Sequence, residues 1–157
     1  MRTTELLIIG AGPYGLSAAA YAKHLGIGFH VLGEPMGFWK RHMPAGMFLR
    51  SPTSWHLDPT GVNTFEAYLE ERGVRQEDVN PIPLGLFLEY SIWFQARASL
   101  EVEPSMVREL RHVDGTFEAV LDNGDLVRAH NVLATPGLGD FPNLPDDLTA
   151  QIEQRTT

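Results

Sequence analysis

Six consecutive residues, Gly10-Ala11-Gly12-Pro13-Tyr14-Gly15, carry the first chemical signal in this chain. They have the spacing G-x-G-x-x-G. In a dinucleotide-binding turn the first glycine permits a tight exit from a strand. The second, lacking Cβ, lets a pyrophosphate approach the backbone, and the third lets helix and strand pack closely. The N–H groups at the helix start then face the phosphates, assisted by the helix dipole. The pattern is informative only where it follows a strand and opens a helix. The usual partner is an acid at the end of the next strand, which holds the ribose hydroxyls. In the expected register that position is Gly33, with Glu34 one residue later. Three readings stay open there. Glu34 reaches back to the ribose, the ribose is held without a carboxylate, or Glu34 is a solvated turn residue.

The flanking residues supply the context. Residues 5–9 are short, apolar and β-prone, which predicts a buried parallel strand. Residues 13–25 are rich in Ala and Leu, with Pro first and Gly26 after the end, as a helix prefers. Residues 29–32 read as a second strand. The whole is a βαβ unit of about 30 residues. Residues 33–63 show no period, and so long an irregular stretch suggests the lining of a site. Residues 64–72 read as a short helix with Asn63 or Thr64 as cap and Gly73 as stop. Residues 80–83 read as a rigid link, and residues 84–99 as an amphipathic helix. Residues 106–113 and 116–121 flank Asp114-Gly115, a hairpin signal. A further turn at 122–125 leads into a strand at 126–129, and 131–135 reads as a separate buried strand. The fold class expected is α/β: a Rossmann-like βαβ unit with an inserted antiparallel β section. Residues 1–142 form that domain, with a polar tail over 143–157.

Composition limits the partners. The formal net charge is −8, which disfavours nucleic acid and anionic membrane surfaces. No apolar run approaches the roughly 18 residues of a membrane-spanning helix. The apolar start runs into a glycine turn and not a cleavage site, so a cytoplasmic protein is expected. There is no cysteine, which excludes disulfides, thiolate metal sites and thiol nucleophiles. The six histidines show no ligand-like pairing, so no metal is expected. Ser17 and Ser51 lack a triad setting and read as structural.

At this point the chain resembles a family, the flavin-dependent monooxygenases that group N-hydroxylating with Baeyer–Villiger enzymes. Besides the glycine loop, Met36-Gly37-Phe38-Trp39 is similar to their G-G-x-W segment, with Met in place of the first Gly. Ala45-Gly46-Met47-Phe48-Leu49 is similar to a P-G-M-x-L segment. Val132-Leu133-Ala134-Thr135-Pro136-Gly137 is similar to a strand ending in A-T-G, with Pro intervening. The resemblance covers residues 5 to about 142. It implies that the βαβ unit holds the ADP half of FAD and that Gly37 and Trp39 lie against the flavin. It also places Ala134 and Thr135 beside the cofactor. Alone, Trp39 in a loop reads equally as a packing residue. Lys40, Arg41 and Arg50 have two readings, contacts to phosphate or the flavin edge and surface charges, of which the second is preferred for each.

The resemblance further implies NADPH as reductant and O2 as co-substrate in a complete enzyme. Family members carry a second G-x-G-x-x-G for NADPH, and this chain has one. The expectation is therefore a flavin-binding part of a monooxygenase-like oxidoreductase, with a partner chain or further region supplying the NADPH site. No catalytic acid or base is identified. A non-catalytic or partner-dependent dinucleotide-binding module is the alternative. An NAD-dependent dehydrogenase would need a catalytic domain after the unit. Disulfide reductases of the same architecture use a cysteine pair, which this chain lacks.

Overall fold

The computed structural model describes residues 2–139. The polar tail expected over 143–157 lies outside them. Strand β1 (Arg2–Ile9) leads through the glycine turn into α1 (Pro13–His24), and β2 (Phe29–Leu32) follows. β1 pairs with β2 in parallel, Leu6 opposite Phe29 and Ile9 opposite Leu32, which completes the expected βαβ unit. α1 ends where the sequence predicts: Leu25 caps it, and Gly26 follows at φ 72°.

Alternate residues of β1 serve two cores, as a period of two requires. Ile8 joins a core with Leu16, Ala19, Phe65, Tyr68, Tyr90 and Phe94. Leu7 joins a second with Leu32, Ala119, Leu121, Val127 and Ala129. The first core is walled by α3 (Phe65–Glu71) and α4 (Leu84–Arg97). Thr64 caps α3 by accepting from Ala67 N at 3.1 Å.

The antiparallel section is continuous with the parallel strands. β5 (Val107–Val113) and β6 (Thr116–Leu121) form the predicted hairpin, with Asp114 and Gly115 both at positive φ. β7 (Leu126–Ala134) then pairs with β6 antiparallel and with β1 parallel, giving one five-stranded sheet in the order β2-β1-β7-β6-β5. Two sequence expectations are corrected here. Residues 126–129 and 131–135 are not separate strands; one strand runs through His130 because β1 pairs with it along its length. Its second half is not buried either: Leu133 is 38% exposed. The pairing with β6 ends at Ala129, so beyond that point β1 alone flanks the strand among the described residues.

The stretch 33–63 also departs from expectation. It holds a six-residue helix, α2 (Gly37–His42), and a short strand, β3 (Phe48–Leu49). β3 pairs with β4 (Ile82–Pro83) inside the expected rigid link. α2 starts from Met36 at φ 57° without a side-chain cap, so it leaves no periodic or capping signal. Met36 occupies the position of the first glycine in the resembled G-G-x-W segment. Its left-handed backbone is what a glycine there would adopt without strain. Burial of its side chain, 1% exposed, offsets that cost.

A polar clamp locks the outer end of the sheet. Glu103 takes two hydrogen bonds from Arg2 at 2.6 and 3.0 Å and meets His30 Nε2 at 2.8 Å. Its backbone forms a parallel bridge to Leu32. Hydrogen bonding from Arg2 chiefly, against the effect of burial and with help from His30 and Ser105, lowers the Glu103 carboxyl from 4.5 to about 2. A carboxylate with a depressed folded-state pKa stabilises the fold above its unfolded pKa. That contribution is lost as pH falls from about 4.5 toward 2. Glu103→Gln should therefore melt below the wild type at pH 7, and the gap should close between pH 5 and pH 2. Thermal melts at stepped pH test this; a gap unchanged at pH 2 would remove Glu103 as its source.

Candidate functional site

The carboxyl ends of β1, β2 and β7 converge on a cleft of about 620 Å³. Its floor is the glycine turn, and the three glycines have separate physical reasons. Gly10 sits at φ 109°, and a Cβ there would overlap the Thr135 carbonyl. Gly15 lies beneath the turn, where a Cβ would overlap the Gly10 carbonyl. Gly12 differs: among the described residues an added Cβ would meet nothing within 4 Å, and its φ of −77° suits any residue. Gly12 is also the N-cap of α1, with no side-chain cap and no acid in the first turn. The first-turn N–H groups, which no helix can satisfy internally, therefore lie beside open space. The arrangement suits an anion.

Eleven of the twelve sequence-predicted residues line this cleft; Gly15, beneath the turn, is the other. Ala11 is buried, and its carbonyl accepts from Met36 N at 2.9 Å, which ties α2 to the turn. Pro13 and Tyr14 open α1, and the Tyr14 side chain is 82% exposed. Ala134 ends β7. Thr135 braces the turn: its N–H donates to Ile9 O at 2.7 Å, and its hydroxyl lies 3.1 Å from Ile9 O and 3.0 Å from Gly10 O.

The acid-bearing edge has a clear steric logic. Gly33 is at φ 127°, its N–H donates to Glu103 O, and a Cβ would lie 3.2 Å from Ala11 N. A side chain at 33 would press on the turn, so the carboxylate falls to Glu34. That carboxylate lines the cleft and forms an ion pair with Arg41 of α2. Arg41 is exposed, as a surface charge would be, and it also lines the cleft. Lys40 and Arg50 are exposed, as expected.

Trp39 faces the cleft and also packs edge-on against Phe87 of α4, with ring centroids 5.1 Å apart. Phe38 stacks on His42 at 5.2 Å. Ser105, Met106 and Val107 complete the wall beside Gly33. Sequence reasoning missed these three because long-range contacts place them: the Glu103 bridge to β2, the hydrogen bond from Asp122 N to Met106 O and the pairing of Val107 with Leu121. For Arg41 the signal was its place in the sole adjacent basic pair, Lys40-Arg41.

A second, open depression of about 600 Å³ is lined by Ser17 and by residues 54–56 and 58–61. Its acid, Asp58, is spent on structure. The two carboxylate oxygens accept from the N–H and side chain of both Thr60 and Asn63 at 2.7–2.9 Å. Burial would raise its pKa, but these bonds prevail and lower it. The Tyr90 hydroxyl is likewise held, accepting from Leu57 N and donating to Asn63 O. Among the described residues no group of three His, Asp or Glu side chains is placed to hold a metal. No helix among them is long and apolar enough to cross a membrane.

No family model and no curated protein matches the chain. Solved structures do. The chain is similar to a flavin-containing monooxygenase from Stenotrophomonas maltophilia, with TM-score 0.75 and 23% identity over 93% of this chain and 42% of that one. It is similar to the bacillithiol disulfide reductase from Bacillus cereus, with TM-score 0.75 and 22% identity over 92% and 43%. A closed cyclohexanone monooxygenase structure gives TM-score 0.68 and 21% identity over 93% and 28%. At these identities the likeness establishes the fold, a Rossmann-like α/β architecture. The chain spans less than half the length of each of these proteins.

Proposed function

We propose that this chain binds FAD in the cleft above the glycine turn and forms the flavin-binding part of a monooxygenase-like oxidoreductase. The observation that carries this is the contrast among the glycines. Gly10 and Gly15 are required by packing, whereas Gly12 leaves space that nothing among the described residues occupies, at an uncapped helix N-terminus. That is where a pyrophosphate would be held by backbone N–H groups. Glu34 would accept a ribose hydroxyl. Phe38, Trp39 and Leu138 add apolar surface to the cleft lining, which suits a flat aromatic ring. When bound, FAD would accept hydride and pass electrons to O2, with NADPH the proposed reductant. The protein's contribution is to bind, orient and shield. The fold is shared by monooxygenases and a disulfide reductase, and the absence of cysteine favours the first.

Titrating FAD into the purified chain tests the reading. Flavin fluorescence should be quenched with saturation at one equivalent. Trp39→Phe should alter the quenched intensity or the affinity. A titration without saturable quenching would overturn the assignment, and a Trp39→Phe protein identical to the wild type would confine Trp39 to packing against Phe87.

A further inference from the structure

The methionines among the described residues differ in access. Met36 is buried, and Met43 and Met47 are half-buried against the first core. Met106 is 45% exposed and lines the cleft. Its backbone is fixed: Met106 O accepts from Asp122 N at 2.9 Å, and Val107 beside it pairs with Leu121. The sheet thus holds the Met106 thioether at the cleft, open to solvent to an extent that no other described methionine is.

We infer that Met106 is a peroxide-responsive modification site: oxidation of its sulfur to the sulfoxide weakens the cleft's hold on its ligand. This rests on the flavin reading of the cleft. Hydrogen peroxide forms wherever reduced flavin meets O2 without a substrate, so the oxidant arises in the cleft that Met106 lines. The sulfur lone pair attacks one peroxide oxygen as the O–O bond breaks. The sulfur loses two electrons and keeps that oxygen, and the departing hydroxide takes its proton and leaves as water. An apolar thioether thereby becomes a polar group. Met106 stands in its wall between Ser105 and Val107. Ser105 already donates its hydroxyl to Glu103 Oε1 at 3.1 Å, and Val107 has no side-chain donor. A bound ligand would shut the sulfoxide oxygen off from water without a side-chain donor from either neighbour, and burying it unpaired opposes binding. Leaked peroxide would then lower cofactor occupancy and so limit its own formation.

Hydrogen peroxide added to the purified chain tests this, with the mass of each methionine peptide followed in time. Met106 should gain an oxygen before Met43 and Met47, with Met36 last. Saturating FAD should slow the reaction at Met106 far more than at the others. Flavin titration of the oxidised chain should show an affinity lower by about tenfold, the scale set by a buried polar group left unpaired. Methionine sulfoxide reductase should restore it. Whatever its starting affinity, Met106→Leu should lose none to peroxide. Oxidation of Met43 or Met47 ahead of Met106, or an affinity that a sulfoxide at 106 leaves unchanged, would overturn the inference. So would a peroxide-dependent loss that persists in Met106→Leu. An untreated chain that does not bind FAD would instead overturn the proposed function, and the inference with it.

Discussion

Gly12→Asp should abolish measurable FAD binding and yet melt no lower than the wild type. At Gly12 the backbone is ordinary and an added Cβ meets nothing within 4 Å among the described residues, so no packing there is displaced. Asp is a preferred N-cap, and α1 has no side-chain cap to displace. The negative charge also suits the helix N-terminus, for a combined gain of about 0.5–1 kcal/mol. The same carboxylate would stand where the pyrophosphate is proposed to lie and would compete for the same N–H groups. Gly12→Val should also lose FAD, by bulk alone. Gly15→Ala should do the opposite. Its methyl would overlap the Gly10 carbonyl, an overpacking that costs about 1–3 kcal/mol or more, so stability falls first. Thermal melts beside flavin titrations of the three variants separate the roles. A Gly12→Asp protein that binds FAD as the wild type does would place the ligand elsewhere.

What could be read in advance follows the range of the interactions. The βαβ unit was legible because each part is local: an apolar run, a glycine turn, an Ala-rich helix and a closing glycine. The hairpin at Asp114-Gly115 was legible for the same reason, and the cap of α3 was narrowed to Asn63 or Thr64, of which the structure uses Thr64. The continuity of β7 was not, because it depends on β1, which lies more than a hundred residues earlier in the chain. α2 was hidden because six residues are too few for a period and its start relies on a left-handed Met36. At the site, motif spacing found the residues on the turn and on the end of β7. It missed the wall at 105–107, which is placed by long-range contacts, the bridge of Glu103 to Leu32 and the pairing of Val107 with Leu121. It also missed what disfavours a side chain at Gly33: a φ of 127° and a Cβ that would lie 3.2 Å from Ala11 N.

Mixed with NADPH, FAD and oxygen, the 157-residue chain alone is expected to consume NADPH no faster than free FAD does. Hydride transfer to a flavin needs the nicotinamide held against the ring, and positioning of this kind can be worth effective molarities on the order of 10⁵–10⁸ M. Holding NADPH takes a second pyrophosphate site. The sequence contains one G-x-G-x-x-G, and the N-terminus of α1 can serve one pyrophosphate at a time. If FAD occupies it, NADPH reaches the flavin only by collision, as it would reach free flavin. If NADPH displaced FAD, no acceptor would remain in place. The rate should rise when a polypeptide carrying a second dinucleotide site is supplied, whether as a partner chain or in a longer protein. The loss of NADPH absorbance, with FAD-loaded protein set against the same concentration of free FAD, measures this. Sustained turnover well above the free-flavin control would mean that the chain's own residues hold both nucleotides, and the single-site reading of the cleft would be wrong.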